Sequence, residues 1–75
     1  MPKLPLLSAN SIVKALSRIG YAYDHQTGSH VILRNSKPPY RRAVVPNRKE
    51  VPRGTLRAII NEAGLTVEGF MELLD

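Results

Sequence analysis

Apolar positions along this chain fall into two rhythms, and the changes between them mark its elements. After Ser8, a residue able to cap a helix, Ala9, Ile12, Val13, Leu16 and Ile19 recur at helical spacing, with Lys14, Ser17 and Arg18 on the other side. Gly20 follows the last periodic residue and suits the position just past a helix end. The rhythm then shortens. "YAYDHQ" and "HVILR" read as strands joined by the tight turn "TGS", where Gly28 can take positive φ at no steric cost. "NSKPP" is a loop, because its two prolines cannot donate ladder bonds, and "RRAVV" is a third strand ended by Pro46. "PNRKEVPRG" is a basic connection. Helical spacing returns in "TLRAIINEAG", with Leu56, Ile59, Ile60 and Ala63 on one face and Gly64 as a stop. In "LTVEGFMELLD", Thr66 is an N-cap and Val67, Phe70, Leu73 and Leu74 form an apolar stripe.

The predicted order is therefore α-β-β-β-α-α, an α+β fold. A three-stranded antiparallel meander cannot bury itself and needs helices on one face. The first helix and the Leu56 helix are the obvious cover, which leaves the other sheet face or its edges free for a partner. This is the α-β-β-β-α topology of a double-stranded-RNA-binding domain, with a short C-terminal helix added. The alternation leaves one point open. Val31 and Leu33 compete with Ile32 for the core, so the face that carries His30 is not fixed by pattern.

Length and composition sharpen this picture. Seventy-five residues, with no repeat and no dividing linker, argue for one domain over 1–75. So small a core is marginal, and without cysteine no disulfide staples it, so partner binding or dimerisation is expected to add stability. The lack of cysteine excludes zinc knuckles and thiol catalysis and fits a reducing compartment. The start "MPKLPLLSANS" is too short in apolar residues for a signal peptide, and no stretch approaches the length of a membrane span. A soluble, cytoplasmic protein is expected.

The net charge of +5 is unevenly placed. From Arg34 to Arg57 there are eight Lys or Arg against one acid, Glu50, while Ala58–Asp75 holds four acids and no Lys or Arg. A basic middle is the footprint of a site for a phosphate polymer or an acidic protein. The plainer reading is a solvated charged surface.

The chain has two histidines. His30 follows a Gly-Ser turn and begins a strand, where a rigid element can hold it. An imidazole exchanges a proton near neutral pH, and RNA phosphodiester cleavage needs such a group at the 2′-OH or at the leaving 5′-oxygen. A lone histidine is nevertheless more often a packing or surface residue. His25, before the turn, could approach His30 across the hairpin, either to divide acid and base work or to ligate a metal with it. Two ligands with Asp24 as the one local acid make a weak metal site, and none is expected. Ser29 lacks the surroundings of a nucleophile, so turn hydrogen bonding and phosphate contact suit it better. In "NRKEVPRGTLR", Arg48, Lys49 and Arg53 can clamp phosphate near a helix start at Gly54–Thr55, or simply belong to helix initiation. Tyr21, Tyr23 and Tyr40 could stack on bases, but packing with exposed hydroxyls is the preferred reading for Tyr21 and Tyr23.

Together these pieces resemble the HicA toxin family (YcfA-like proteins), the small partner in HicA–HicB toxin–antitoxin modules. "LPLLSANSIVKALSRIGY" is similar to the family's opening helix. "QTGSHVILR" contains its Gly-Ser-His signature, and "AVVPNRKEVPRGTLRAIINEAGLTVEGF" its third strand, Pro-centred basic loop and Gly-Thr-Leu-Arg helix start. The resemblance implies a fold like the double-stranded-RNA-binding domain, ribosome-independent mRNA endonuclease activity and neutralisation by a HicB-type antitoxin in a hetero-oligomer. It places the family's histidine at His30, with Gly28 and Ser29 completing the motif. In one departure, Arg48 stands where the family's basic loop often has a second histidine. An arginine can hold phosphate but does not exchange protons at neutral pH.

The leading expectation is a metal- and cofactor-independent endoribonuclease toxin acting on mRNA, with His30 as general acid or base. Gly28, Ser29, Arg34, Arg42, Arg48, Lys49 and Arg53 are its RNA contacts. The alternative is a non-catalytic RNA-binding module of the same fold. A third reading is a protein-interaction module whose basic face meets an acidic partner.

Overall fold

A computed structural model describes residues 3–74. The element order is α1 (Ala9–Ser17), β1 (Tyr21–Thr27), β2 (His30–Asn35), β3 (Arg42–Pro46), α2 (Arg53–Glu62) and α3 (Val67–Met71). The strands form one antiparallel sheet in the order β1-β2-β3. This is the arrangement expected, α+β and like a double-stranded-RNA-binding domain.

Local chemistry sets each boundary. The Ser8 hydroxyl accepts the Ser11 N–H at 3.2 Å and starts α1, and the Thr66 hydroxyl accepts from Gly69 at 3.0 Å and starts α3. Each such cap satisfies a donor that the helix itself cannot. The hairpin loop is Gly28-Ser29. Gly28 has φ +51° while Ser29 stays out of the left-handed region, the pattern of a two-residue hairpin turn whose glycine comes first. A Cβ at Gly28 would meet nothing within 4 Å, so the glycine answers to backbone conformation alone.

The buried cluster lies between the helices and one sheet face. Ile12 and Leu16 of α1, Leu33, Ala43 and Val45 of the sheet, and Leu56, Ile59 and Ile60 of α2 form its centre. Phe70 of α3 is fully buried and joins it. Val31 packs against the same cluster, whereas Ile32, although buried, lies outside it. The register ambiguity is thereby resolved. Residues 31 and 33 of β2 point to the helices, and His30, Ile32 and Arg34 point to the other face.

Several boundaries differ from the expected ones. β3 begins at Arg42 rather than Arg41, and Pro46, which ends it as expected, is itself paired with His30. β3 is an edge strand, where a missing N–H is tolerated. Helix α2 begins at Arg53 rather than Thr55, with Pro52 at its N-cap position, so Gly54 is helical rather than part of the connection. Ile19, Leu73 and Leu74 lie beyond their helices yet still pack on the core. The Tyr21 hydroxyl is not exposed. Tyr21 is 2 % accessible and donates to the Ala63 carbonyl at 3.2 Å, satisfying an acceptor at the end of α2. Tyr23, by contrast, is 62 % accessible.

Candidate active site

The open sheet face is built by register. Residues directly opposite on neighbouring strands share a face. His30 opposes Thr27 on one side and Pro46 on the other, Ile32 opposes His25 and Val44, and Arg34 opposes Ala22 and Arg42. One face therefore carries His25 and His30 at the hairpin end, an apolar patch of Ile32 and Val44 in the middle, and Arg34 with Arg42 at the far end. Arg34 lies four residue steps along the strand from His30, about 13 Å.

His30 is exposed on the first residue of β2. Behind it the chain is fixed by the Gly28-Ser29 turn, and the Asn47 N–H donates to the Ser29 carbonyl at 2.6 Å. That bond ties the basic loop to the hairpin tip, so Arg48 and Lys49, both exposed, follow directly on the residue that contacts Ser29. The loop is held from its other side as well, since the Ala9 N–H donates to the Arg48 carbonyl at 2.9 Å. Ser8, Ala9, Asn10, Asn47, Arg48 and Lys49 line a cleft of about 290 Å³ there. Ser8, Asn10 and Asn47 escaped sequence reasoning, because only the tertiary fold brings the start of α1 beside the loop after β3.

Arg34 and Arg42 are both exposed and directly opposed. Like charges at opposed positions destabilise a sheet by some tenths of a kcal/mol, about 1 at most. A phosphate between them would reverse the sign of that interaction. Arg34 also donates to the Tyr40 carbonyl at 3.3 Å, which anchors the guanidinium at the sheet end.

Not every expected contact gathers here. Arg53 is exposed, but its Nε donates to the Leu4 carbonyl at 2.6 Å, so it fastens the segment before α1 to the start of α2. It is not brought to the open face by the strand register that assembles the other arginines. Arg41 donates to the Glu62 carbonyl at 3.4 Å, supplying a cation to the end of α2, whose own last turn has none. His25 is joined to Asp24 at 2.8 Å through Nδ1. Among the described residues, no three His, Cys, Asp or Glu side chains gather as a metal site. No described helix is long and apolar enough to cross a membrane.

The arrangement can hold a polyanion along the sheet and present an accessible imidazole to it. A family model described as HicA toxin of bacterial toxin–antitoxin systems matches residues 9–65, most of the chain and all three strands with α1 and α2. No curated protein matches the chain.

Proposed function

This chain belongs to the HicA toxin family of bacterial toxin–antitoxin systems, and from that premise we propose that it is an endoribonuclease that cleaves mRNA and so inhibits translation. The observation that carries the reading is the placement of His30. It stands exposed on a rigid strand, on a sheet face that ends in the Arg34–Arg42 pair and beside the tethered Arg48–Lys49 loop.

The chemistry follows from these positions. Arg34, Arg42, Arg48 and Lys49 draw in the RNA backbone, and Gly28 and Ser29 offer the turn over which it passes. Arg53 acts at the margin, since its Nε is engaged by Leu4. His30 exchanges a proton with the reacting phosphodiester, either taking it from the 2′-OH or giving it to the leaving 5′-oxygen. Attack by the 2′-oxygen yields a 2′,3′-cyclic phosphate and a free 5′-hydroxyl, and needs no metal or other cofactor. The protein acts in the cytoplasm, where mRNA is available. A HicB-type antitoxin forms a hetero-oligomer with it and covers the same face.

The direct test offers the purified chain an RNA and the matched 2′-deoxy strand in the presence of a chelator. Cleavage of RNA alone, with cyclic phosphate ends, is expected. Binding without cleavage would leave a non-catalytic RNA-binding module, and cleavage of both strands would exclude the 2′-OH mechanism.

A further inference from the structure

His25 has a position that the role of His30 does not use. It opposes Ile32 and so stands diagonal to His30 on the same open face, across the β1–β2 hairpin. Diagonal side chains on an antiparallel pair have Cβ atoms roughly 7–8 Å apart or somewhat less. Two imidazoles extending from such positions can flank one phosphate group from two sides. An in-line displacement asks for this, because the attacking and leaving oxygens lie on opposite sides of phosphorus.

His25 is also oriented. The register shifts between Tyr23 and His25, making Asp24 the extra residue of a bulge, and bulges re-aim side chains beside sites. The Asp24 carboxylate lies 2.8 Å from His25 Nδ1, with the two side chains 42 % and 52 % accessible. An ionised carboxylate only accepts, so Nδ1 carries the hydrogen and Nε2 is left for a substrate. The Asp24 carboxylate thus fixes the orientation of the His25 ring toward the open face.

Resting on the endoribonuclease reading above, we infer that His25 is the second catalytic residue of this site, the general acid to the general base His30, with Asp24 as its positioning residue. The 2′-oxygen attacks phosphorus, its proton passes to His30, the P–O5′ bond breaks, and a proton from His25 Nε2 goes to the departing 5′-oxygen. The products are a 2′,3′-cyclic phosphate and a 5′-hydroxyl, with His30 now protonated and His25 neutral. The titratable and charged groups around this face are Asp24, His25 and His30 at the hairpin end, Arg48 and Lys49 on the loop tied to Ser29, and Arg34 and Arg42 at the other end. From β3, only Pro46 and Val44 face the histidines.

The test compares ordinary RNA with RNA carrying a bridging 5′-sulfur at the scissile bond, whose thiolate departs without a proton. His25→Ala is expected to cleave ordinary RNA about 10²–10⁴-fold more slowly and the sulfur substrate at close to the parent rate. His30→Ala should be slow on both. In the pH–rate profile, the bell of the parent should lose its alkaline limb in His25→Ala. Asp24→Asn should give a smaller loss with the same rescue by sulfur. Parent-like cleavage of ordinary RNA by His25→Ala, or an equal loss on both substrates, overturns the inference while leaving the His30 reading in place. Failure of the parent to cleave either substrate overturns both.

Discussion

At the scale of single residues, Tyr21 separates what a pattern can tell from what it cannot. A tyrosine at the start of a strand reads as a half-buried ring with a wet hydroxyl. Here the ring is buried and the hydroxyl bonds the Ala63 carbonyl, 42 positions away in the chain. That partner is set by how α2 ends against the sheet, and no local window contains it. Tyr21→Phe leaves the carbonyl buried without its donor, and should cost about 1–3 kcal/mol. In a domain of this size each kcal/mol lowers Tm by about 4–8 °C, and thermal unfolding followed by circular dichroism would read it. An unchanged Tm would mean that the bond adds nothing. His30 was the opposite case. Its residue type and its place after Gly28-Ser29 were plain in the sequence, whereas its side of the sheet was not, because Ile32 is nearly as buried as Leu33.

At the scale of elements, the order of helices and strands was legible, since periodicity and caps agree. The edges were less so. Whether Pro46 pairs, and whether α2 gains its first turn at Arg53, depends on neighbours across the sheet and at the chain's other end. The bulge at Asp24 was invisible for the same reason, as an extra residue exists only relative to a partner strand. The hairpin is where element and site meet. Gly28→Ala meets no steric obstacle, so its cost should be the roughly 1–2 kcal/mol of a left-handed backbone for an L-residue. Chemical denaturation would report it; a neutral outcome would mean that another turn conformation serves equally well. The paired arginines make a second element-scale prediction. Arg34→Ala with Arg42→Ala should flatten the salt dependence of binding to single-stranded RNA by about 0.7 log units per lost contact, while folding stability stays within about 1 kcal/mol of the parent, since the lost repulsion offsets the lost bond to the Tyr40 carbonyl. An unchanged slope would remove the far end of the sheet face from the RNA site.

At the scale of the whole molecule, the sheet is covered on one side only, and the uncovered side collects the histidines and two of the arginines. The described acids that follow Ala58 lie at the end of α2 and around α3, on the helical side of the sheet, while Arg34 and Arg42 of the basic stretch stand on the uncovered side. A partner antitoxin presenting acidic side chains would be steered to the open face. Under that account antitoxin and RNA exclude each other. Titrating antitoxin should raise the apparent Kd for RNA without limit, and charge reversal at Arg48 or Lys49 should weaken both partners. A stable ternary complex of RNA, toxin and antitoxin would show that silencing acts from elsewhere on the molecule.

A face that cuts RNA through His30 differs from one that merely holds RNA in what the loss of that imidazole does. The most direct measurement takes the parent chain and His30→Ala side by side, and records RNA affinity and single-turnover cleavage on the same substrate. His30 is exposed on the first residue of β2 and lies outside the buried cluster, so the variant should fold as the parent does. Affinity within a few fold of the parent and cleavage slower by about 10²–10⁴ are expected. Cleavage at the parent rate by the folded variant would contradict the catalytic role of His30.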